Sequence, residues 1–259
     1  MPSAPPAAAV VVSVAVSIAA WSARALRPSG AAAAAALGTV VLAAAGWPGG
    51  LILLAFFLPA SAISRLWPGP PSSLDAKDDR RDGWQVLANG AAPAVAVAFL
   101  GPGSALLAFS AGLAAASADT WATAVGMQSR TPPRHILRGG VVPRGTSGGV
   151  TALGSAGAVV GAGLVALAAA PALGWRGAAV AFGVGMGGML LDSALGAGLQ
   201  GRFRCPKCNA DSERKVHRCG GVTQHLGGCP WLTNDGVNAL VTTSATAVGW
   251  AAWAWCCSP

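Results

Sequence analysis

Residues 115–126 read AASADTWATAVG. The small, apolar residues suit a helix that packs closely on its neighbours, yet Asp119 stands in their midst. A carboxylate inside a membrane helix costs about 2.5–3.5 kcal/mol on insertion scales, so it faces a bundle interior and serves a function. The sequence around it makes a membrane helix the expectation. Only 10% of the 259 residues are charged and the mean hydropathy is +0.55, where soluble domains carry about 25% charge. Long Ala/Val/Leu/Gly runs recur, which predicts an all-α fold: a polytopic integral membrane helical bundle.

The apolar runs predict eight transmembrane helices at 6–24, 31–46, 49–64, 85–100, 104–126, 150–170, 177–199 and 236–256. The N-terminal MPSAPPAAAV has no Lys or Arg before its apolar run, so it reads as a retained span and not as a cleaved signal. The basic residues test the count. Arg24 and Arg27 follow the first span; Arg65, Lys77, Arg80 and Arg81 follow the third; Arg130, Arg134, Arg138 and Arg144 follow the fifth. Arg202, Arg204, Lys207, Arg214, Lys215 and Arg218 follow the seventh, which places 16 of 17 basic residues in alternate loops and leaves Arg176 on the other side. The positive-inside rule makes those loops cytoplasmic and puts both termini outside. The net charge of +8 then reflects basic loops, and no nucleic-acid partner is expected. Trp21, Trp47, Trp67, Trp175, Trp231, Trp250, Trp253 and Trp255 fall near span ends, where an indole ring suits the bilayer interface. One membrane domain is expected over 1–259, with a cytoplasmic loop inserted at 200–232 and the lipid bilayer as surroundings.

The polar residues collect at the cytoplasmic ends. Asp82, Gln85 and Asn89 share one helical face at the entry to the fourth span; Asp82 either caps that helix or joins a substrate site. Asp119 lies seven residues before Gly126, about 10 Å along the helix. Asp192 lies seven residues before Leu199, on a face shared with Gly188 and Gly196. Two carboxylates at matched depth on two helices suggest a divalent cation site, and Mg²⁺ takes few carboxylates beside waters and phosphates. Unrelated polar contacts or an ion relay are the alternatives. Gly145, Thr146, Ser147, Gly148 and Gly149, with Arg144 and Arg138, form a Gly-rich basic loop that either suits an anion or is a flexible turn capped by Thr146 or Ser147. Asp235 and Asn238 open the last span and either complete the polar cluster or cap the helix. In the inserted loop, Cys205, Cys208, His217 and Cys219 have the spacing of a structural Zn²⁺ knuckle, with Cys229 or His225 able to replace one of them; free cysteines are the alternative.

RDGWQVLANG, ASADTWATAVG, VPRGTSGGVTALG, LLDSALGAGLQ and WLTNDGVNALV resemble, in order, the signature blocks of the DUF92, or transmembrane protein 19, family. They span Arg81 to Val241. The cysteine loop is similar to one in many prokaryotic members. The family's best-understood branch is the phytyl-phosphate kinase of tocopherol synthesis. The resemblance therefore implies a phosphotransferase that moves a phosphoryl group from CTP or ATP to an isoprenoid lipid phosphate. Asp119 and Asp192 would hold Mg²⁺. Arg144 and the glycine loop would cradle phosphates, and Asn89, Asp235 and Asn238 would orient nucleotide or metal. Two departures stand out: Ala124 replaces a Glu frequent in the second block, and Thr233 stands where Asp is common. An ion-coupled carrier and a non-catalytic membrane protein are the rival readings. A bacterial inner membrane is the expected location, with a plastid membrane as the alternative.

Overall fold

Proline opens three of the helices: α1 (Pro6–Ser22), α2 (Pro28–Leu66) and α4 (Pro102–Gly126). Its fixed φ suits the first helical turn, where its missing N–H is no loss. α3 (Gly83–Phe99) starts from a capping box: Asp82 Oδ1 accepts from the Gln85 amide at 3.0 Å, and Gln85 Oε1 accepts from the Asp82 amide at 3.1 Å. α5 (Ala152–Gly198) is capped by Thr151, which accepts from the Gly154 amide at 2.9 Å. α6 (Asn234–Cys256) closes the chain. The computed structural model describes residues 5–67 and 80–256; residues 1–4 of the N-terminal reading and Lys77 of the charge census lie outside them.

α2 and α5 are hairpins. Val41 and Gly49 would stand about 12 Å apart on a straight helix, but a Cβ on Gly49 would lie 3.1 Å from Val41 Cγ1. The reversal falls at Gly46, whose φ of 61° and ψ of −157° are open to glycine and strained for other residues. Gly174, with φ 69° and ψ 171°, reverses α5 in the same way. Ala158 and Ala162 from before this turn share a packed cluster with Met189 from after it. The described chain thus has helical segments at 6–22, 28–45, 47–66, 83–99, 102–126, 152–173, 175–198 and 234–256, matching the eight expected positions within a few residues.

α4 is the axis of the bundle. Residues 105–118 are buried on every side. Its neighbours approach through small residues, as membrane helices do. Ser117 Oγ donates to the Gly161 carbonyl at 2.8 Å, and a Cβ on Gly161 would meet the Ser117 carbonyl oxygen at 2.6 Å. The pairs Ala114–Gly185 and Ala115–Gly188 ascend together along both helices, so the second half of α5 runs parallel to α4. Ser117 with Gly161 and Trp121 with Gly157 run oppositely, so the first half is antiparallel. α6 ties to α3, where Thr242 Oγ1 donates to the Ala88 carbonyl at 2.7 Å.

Two expectations need amending. Among the described residues, α2 and α5 are long and apolar enough to cross a membrane by length and composition; the segments expected at 6–24, 85–100, 104–126 and 236–256 fall short of that measure. The physical reason in α4 is that its neighbours are protein, so it needs no lipid-like surface. The all-α expectation also misses some strands. The inserted loop forms a three-stranded antiparallel sheet, β3 (Arg202–Cys205), β4 (Ala210–Ser212) and β5 (Gln224–Gly227), in the order β4-β3-β5. A two-residue pair, β1 (Arg134–His135) and β2 (Gly149–Val150), folds the earlier connection.

Asp82→Ala removes the cap and leaves the Gln85 amide without its acceptor. The expected cost is about 1 kcal/mol of stability, whereas Asp82→Asn, which can still accept, stays within a few tenths. Thermal unfolding of both variants in detergent checks this; equal losses would assign Asp82 a role that needs its charge.

Candidate active site

The close packing of Ala115 on Gly188 fixes how two helices face each other one turn further on. A Cβ on Gly188 would lie 2.5 Å from Ala115 Cβ and 3.5 Å from Val241 Cγ1. Four residues beyond this contact, along two parallel helices, come Asp119 and Asp192. Their carboxyl groups are within hydrogen-bonding reach of each other. Two carboxylates cannot meet in this way without a shared proton or a cation between them. Both residues are half-buried, and Asp192 Oδ2 is a buried oxygen with no hydrogen-bond partner. An orphaned acceptor beside a second carboxylate is the donor set that a hard divalent cation uses.

The Gly-rich loop docks on α5 at Ser193 and Ala197, next along the helix from Asp192. Gly148 has φ +77° and lies on the last turns of α5; a Cβ there would overlap Ala197 and sit 2.7 Å from the Ser193 carbonyl oxygen. Ser147 beside it donates a short hydrogen bond to Glu213. Glu213, from just beyond β4, acts electrostatically on Asp192. Three parts of the chain far apart in sequence thus meet at one polar centre. Glu213 does not stand out in the sequence. Its one signal is that it is the only glutamate in the chain.

Several other expected residues have different partners. Asp82 is engaged in its capping box. Asn89 donates to the Gln85 carbonyl at 3.0 Å and lines a groove with Arg81 and Gln85. Arg144 donates to the backbone carbonyls of Ser129, at 2.5 Å, and Arg130, at 3.4 Å. Thr146 is held in a turn with Pro143 and Gly149, and Gly145 and Arg138 are exposed. Asp235 and Asn238 are half-buried in the first turns of α6. They flank Val237, which with Val241 packs against Ala115. Ala124 packs in an apolar cluster with Ile63 and Val125. Position 124 is five residues past Asp119, about 140° around the helix, so it does not face the carboxylate pair.

The inserted sheet assembles a second cluster. Cys205, Cys208, His217 and Cys219 place their ligand atoms within 4.8 Å of one another. Cys205 Sγ and Cys219 Sγ are 3.6 Å apart; a tetrahedral zinc with Zn–S bonds of about 2.3 Å sets sulfurs about 3.8 Å apart. His217 Nδ1 lies 3.2 Å from Cys219 Sγ, and this contact pulls the Cys219 thiol down to about 6. Its hydrogen bond with Cys219 pushes Cys208 up to about 11. Such crowding fits a shared metal. The alternative ligands lie elsewhere: the His225 ring meets Phe203, and Cys229 packs beside Leu232 and Val237. The insertion leaves and returns at one point, where the Cys229 amide donates to the Leu199 carbonyl at 2.8 Å and Gly201 to Leu232 at 3.0 Å.

Gly148→Ala combines overlap with backbone strain, whereas Gly139→Ala, at φ +70° with open space around it, carries the strain alone. The first is expected to lift the loop off α5 and destabilise by about 1–3 kcal/mol more than the second. Thermal unfolding and proteolysis at 138–148 check this, and equal behaviour of the two variants would deny the docking of the loop.

Exposed tryptophans mark two ends of the bundle. Trp21, Trp67, Trp84 and Trp231 lie at the end that carries the polar centre, and Trp47, Trp175, Trp250 and Trp255 at the other. Apolar helices between two such rings, with ionisable groups turned inward, define an integral membrane protein. The chain belongs to the integral membrane protein DUF92 family, whose family model matches residues 11–246. No curated protein and no solved structure matches it.

Proposed function

We propose that this protein is a membrane-embedded phosphotransferase that moves the γ-phosphoryl group of CTP or ATP to an isoprenoid monophosphate. The observation that carries the reading is the meeting of Asp119 and Asp192, with the orphaned Asp192 Oδ2, beside the docked glycine loop. Asp119 and Asp192 would hold Mg²⁺, which when bound neutralises phosphate charge. The loop around Ser147 and Gly148, with Arg144 at its start, borders the phosphates. A non-bridging oxygen of the prenyl phosphate attacks the γ-phosphorus. The bond from that phosphorus to the β–γ bridging oxygen breaks, and nucleoside diphosphate leaves with the electron pair. The protein supplies positioning and charge, which suffice for this chemistry, and no covalent nucleophile is needed. Asn89, Asp235 and Asn238 remain the residues proposed to orient nucleotide or metal. Cys205, Cys208, His217 and Cys219 would hold Zn²⁺ as a structural ion.

The same reading takes all eight helical segments as bilayer crossings, with both termini outside, in a bacterial inner membrane. The meeting of the basic connections at one end supports it. Leu26 bridges to Arg81, Arg65 donates to the Ala23 carbonyl, and Ser147 donates to Glu213.

The test uses the full chain in detergent with Mg²⁺, labelled CTP or ATP, and phytyl or geranylgeranyl phosphate. Formation of the prenyl diphosphate is expected. No product from folded protein with either nucleotide would overturn the reading, and solute uptake by proteoliposomes without nucleotide would replace it with a carrier.

A further inference from the structure

An apolar groove runs between α1, α2 and α3, helices other than those that carry Asp119 and Asp192. Val16, Leu37, Leu42, Leu54 and Phe57 are among its walls. Its lining extends from Leu26, just before α2, to Leu42 within it, about 21 Å at the helical rise over 28–42, which is the reach of one long hydrocarbon chain. The groove is charged at one end only; elsewhere the polar side chains in its walls are the hydroxyls of Ser13 and Ser17. Arg81, Gln85 and Asn89, one turn apart along α3 and its entry, enter it there, while Trp47 and Gly50 lie at the far end.

Arg81 is the unusual member. Its guanidinium sits 5.6 Å from the Phe56 ring centroid. Among the described residues no carboxylate pairs with it; burial lowers it to about 10, so it stays charged at neutral pH. The adjacent Asp82 is engaged in its capping box. A partly desolvated cation is costly unless an anion meets it, and Arg81, half-buried, stands at the mouth of a slot shaped for a tail.

We infer that this groove binds a single-chain lipid with an anionic head, its tail between α1 and α2 and its head on Arg81, with Gln85 as a further polar partner. The choice of an isoprenoid phosphate as probe rests on the proposed function; the site itself rests on the groove and Arg81.

The experiment measures equilibrium binding of labelled geranylgeranyl phosphate to the full chain in detergent. Competitors are geranylgeraniol, inorganic phosphate and phosphatidylglycerol. Saturable binding is expected, weakened at least tenfold by Arg81→Gln and largely kept by Arg81→Lys. Val16→Trp, which fills the groove, weakens the phosphate and the alcohol alike, whereas Arg81→Gln leaves the weaker binding of the alcohol unchanged. Unchanged binding in both Arg81→Gln and Val16→Trp overturns the site. So does equal competition by inorganic phosphate, which would make it an anion site, or by phosphatidylglycerol, which would make it a bilayer-lipid site. Groove binding without any diphosphate product would remove the kinase reading and keep the site; product formed with an unchanged KM in Arg81→Gln and Val16→Trp would do the reverse.

Discussion

Asp119→Asn and Asp192→Asn are each expected to lower turnover of a prenyl monophosphate by about 10²–10³, the scale of losing one preorganised electrostatic contribution. The two carboxyl groups face each other, and Asp192 Oδ2 has no other partner. Either substitution halves the charge available to a cation. It also removes repulsion between two acids, so the metal-free variants should unfold at the same temperature as the parent or higher. Mg²⁺ separates this from ordinary damage. Binding to the folded state raises the stability of the parent in proportion to ln(1 + [Mg²⁺]/Kd), and both variants should lose the matching rise in unfolding temperature. A variant that keeps the Mg²⁺-dependent rise, or full turnover, would remove the pair from the metal site.

The second large effect concerns the inserted sheet. Cys208→Ser, or treatment with a strong chelator, should strip zinc from the chain and expose residues 200–232 to protease while the helices stay folded. Structural zinc contributes on the order of 10 kcal/mol to small domains, and a three-stranded sheet of short strands has little core of its own. Turnover should fall as well, because Glu213 accepts from Ser147 and acts electrostatically on Asp192 from within this insertion. Glu213→Gln distinguishes the two causes: it should keep the zinc and the protease resistance yet lower Mg²⁺ affinity. Zinc content by mass spectrometry and the Mg²⁺-dependent unfolding shift are the readouts. Cys208→Ser protein that retains one zinc per chain would exclude this residue as a ligand, and Glu213→Gln protein with parental Mg²⁺ affinity would deny its part in the polar centre.

Position 124 bears on whether the chain is chemically complete. By the family resemblance, Ala124 stands where a Glu is frequent, and a ligand is lost if that Glu holds metal. In the structure this residue packs against Ile63 and Val125, on another face of α4 from Asp119. Glu213 brings a carboxylate to the same centre by a different route, from the insertion and not from the helix.

Much of this protein is legible without coordinates. Hydropathy and basic loops mark eight helical segments, because apolar runs and charge placement are local in sequence. The cluster of Cys205, Cys208, His217 and Cys219 is legible too, since a knuckle is built from short spacings within one loop. Helix depth puts Asp119 and Asp192 at one level, because rise per residue is fixed. Rotation is what the sequence leaves open: whether those two carboxylates face each other depends on how Ala115 and Gly188 lock two helices together. Nor does the sequence show that Gly148 lies on Ala197, that Glu213 reaches Ser147, or that Arg81 stands at the mouth of a groove. Each of these depends on contacts between segments distant in sequence, and packing geometry alone sets them.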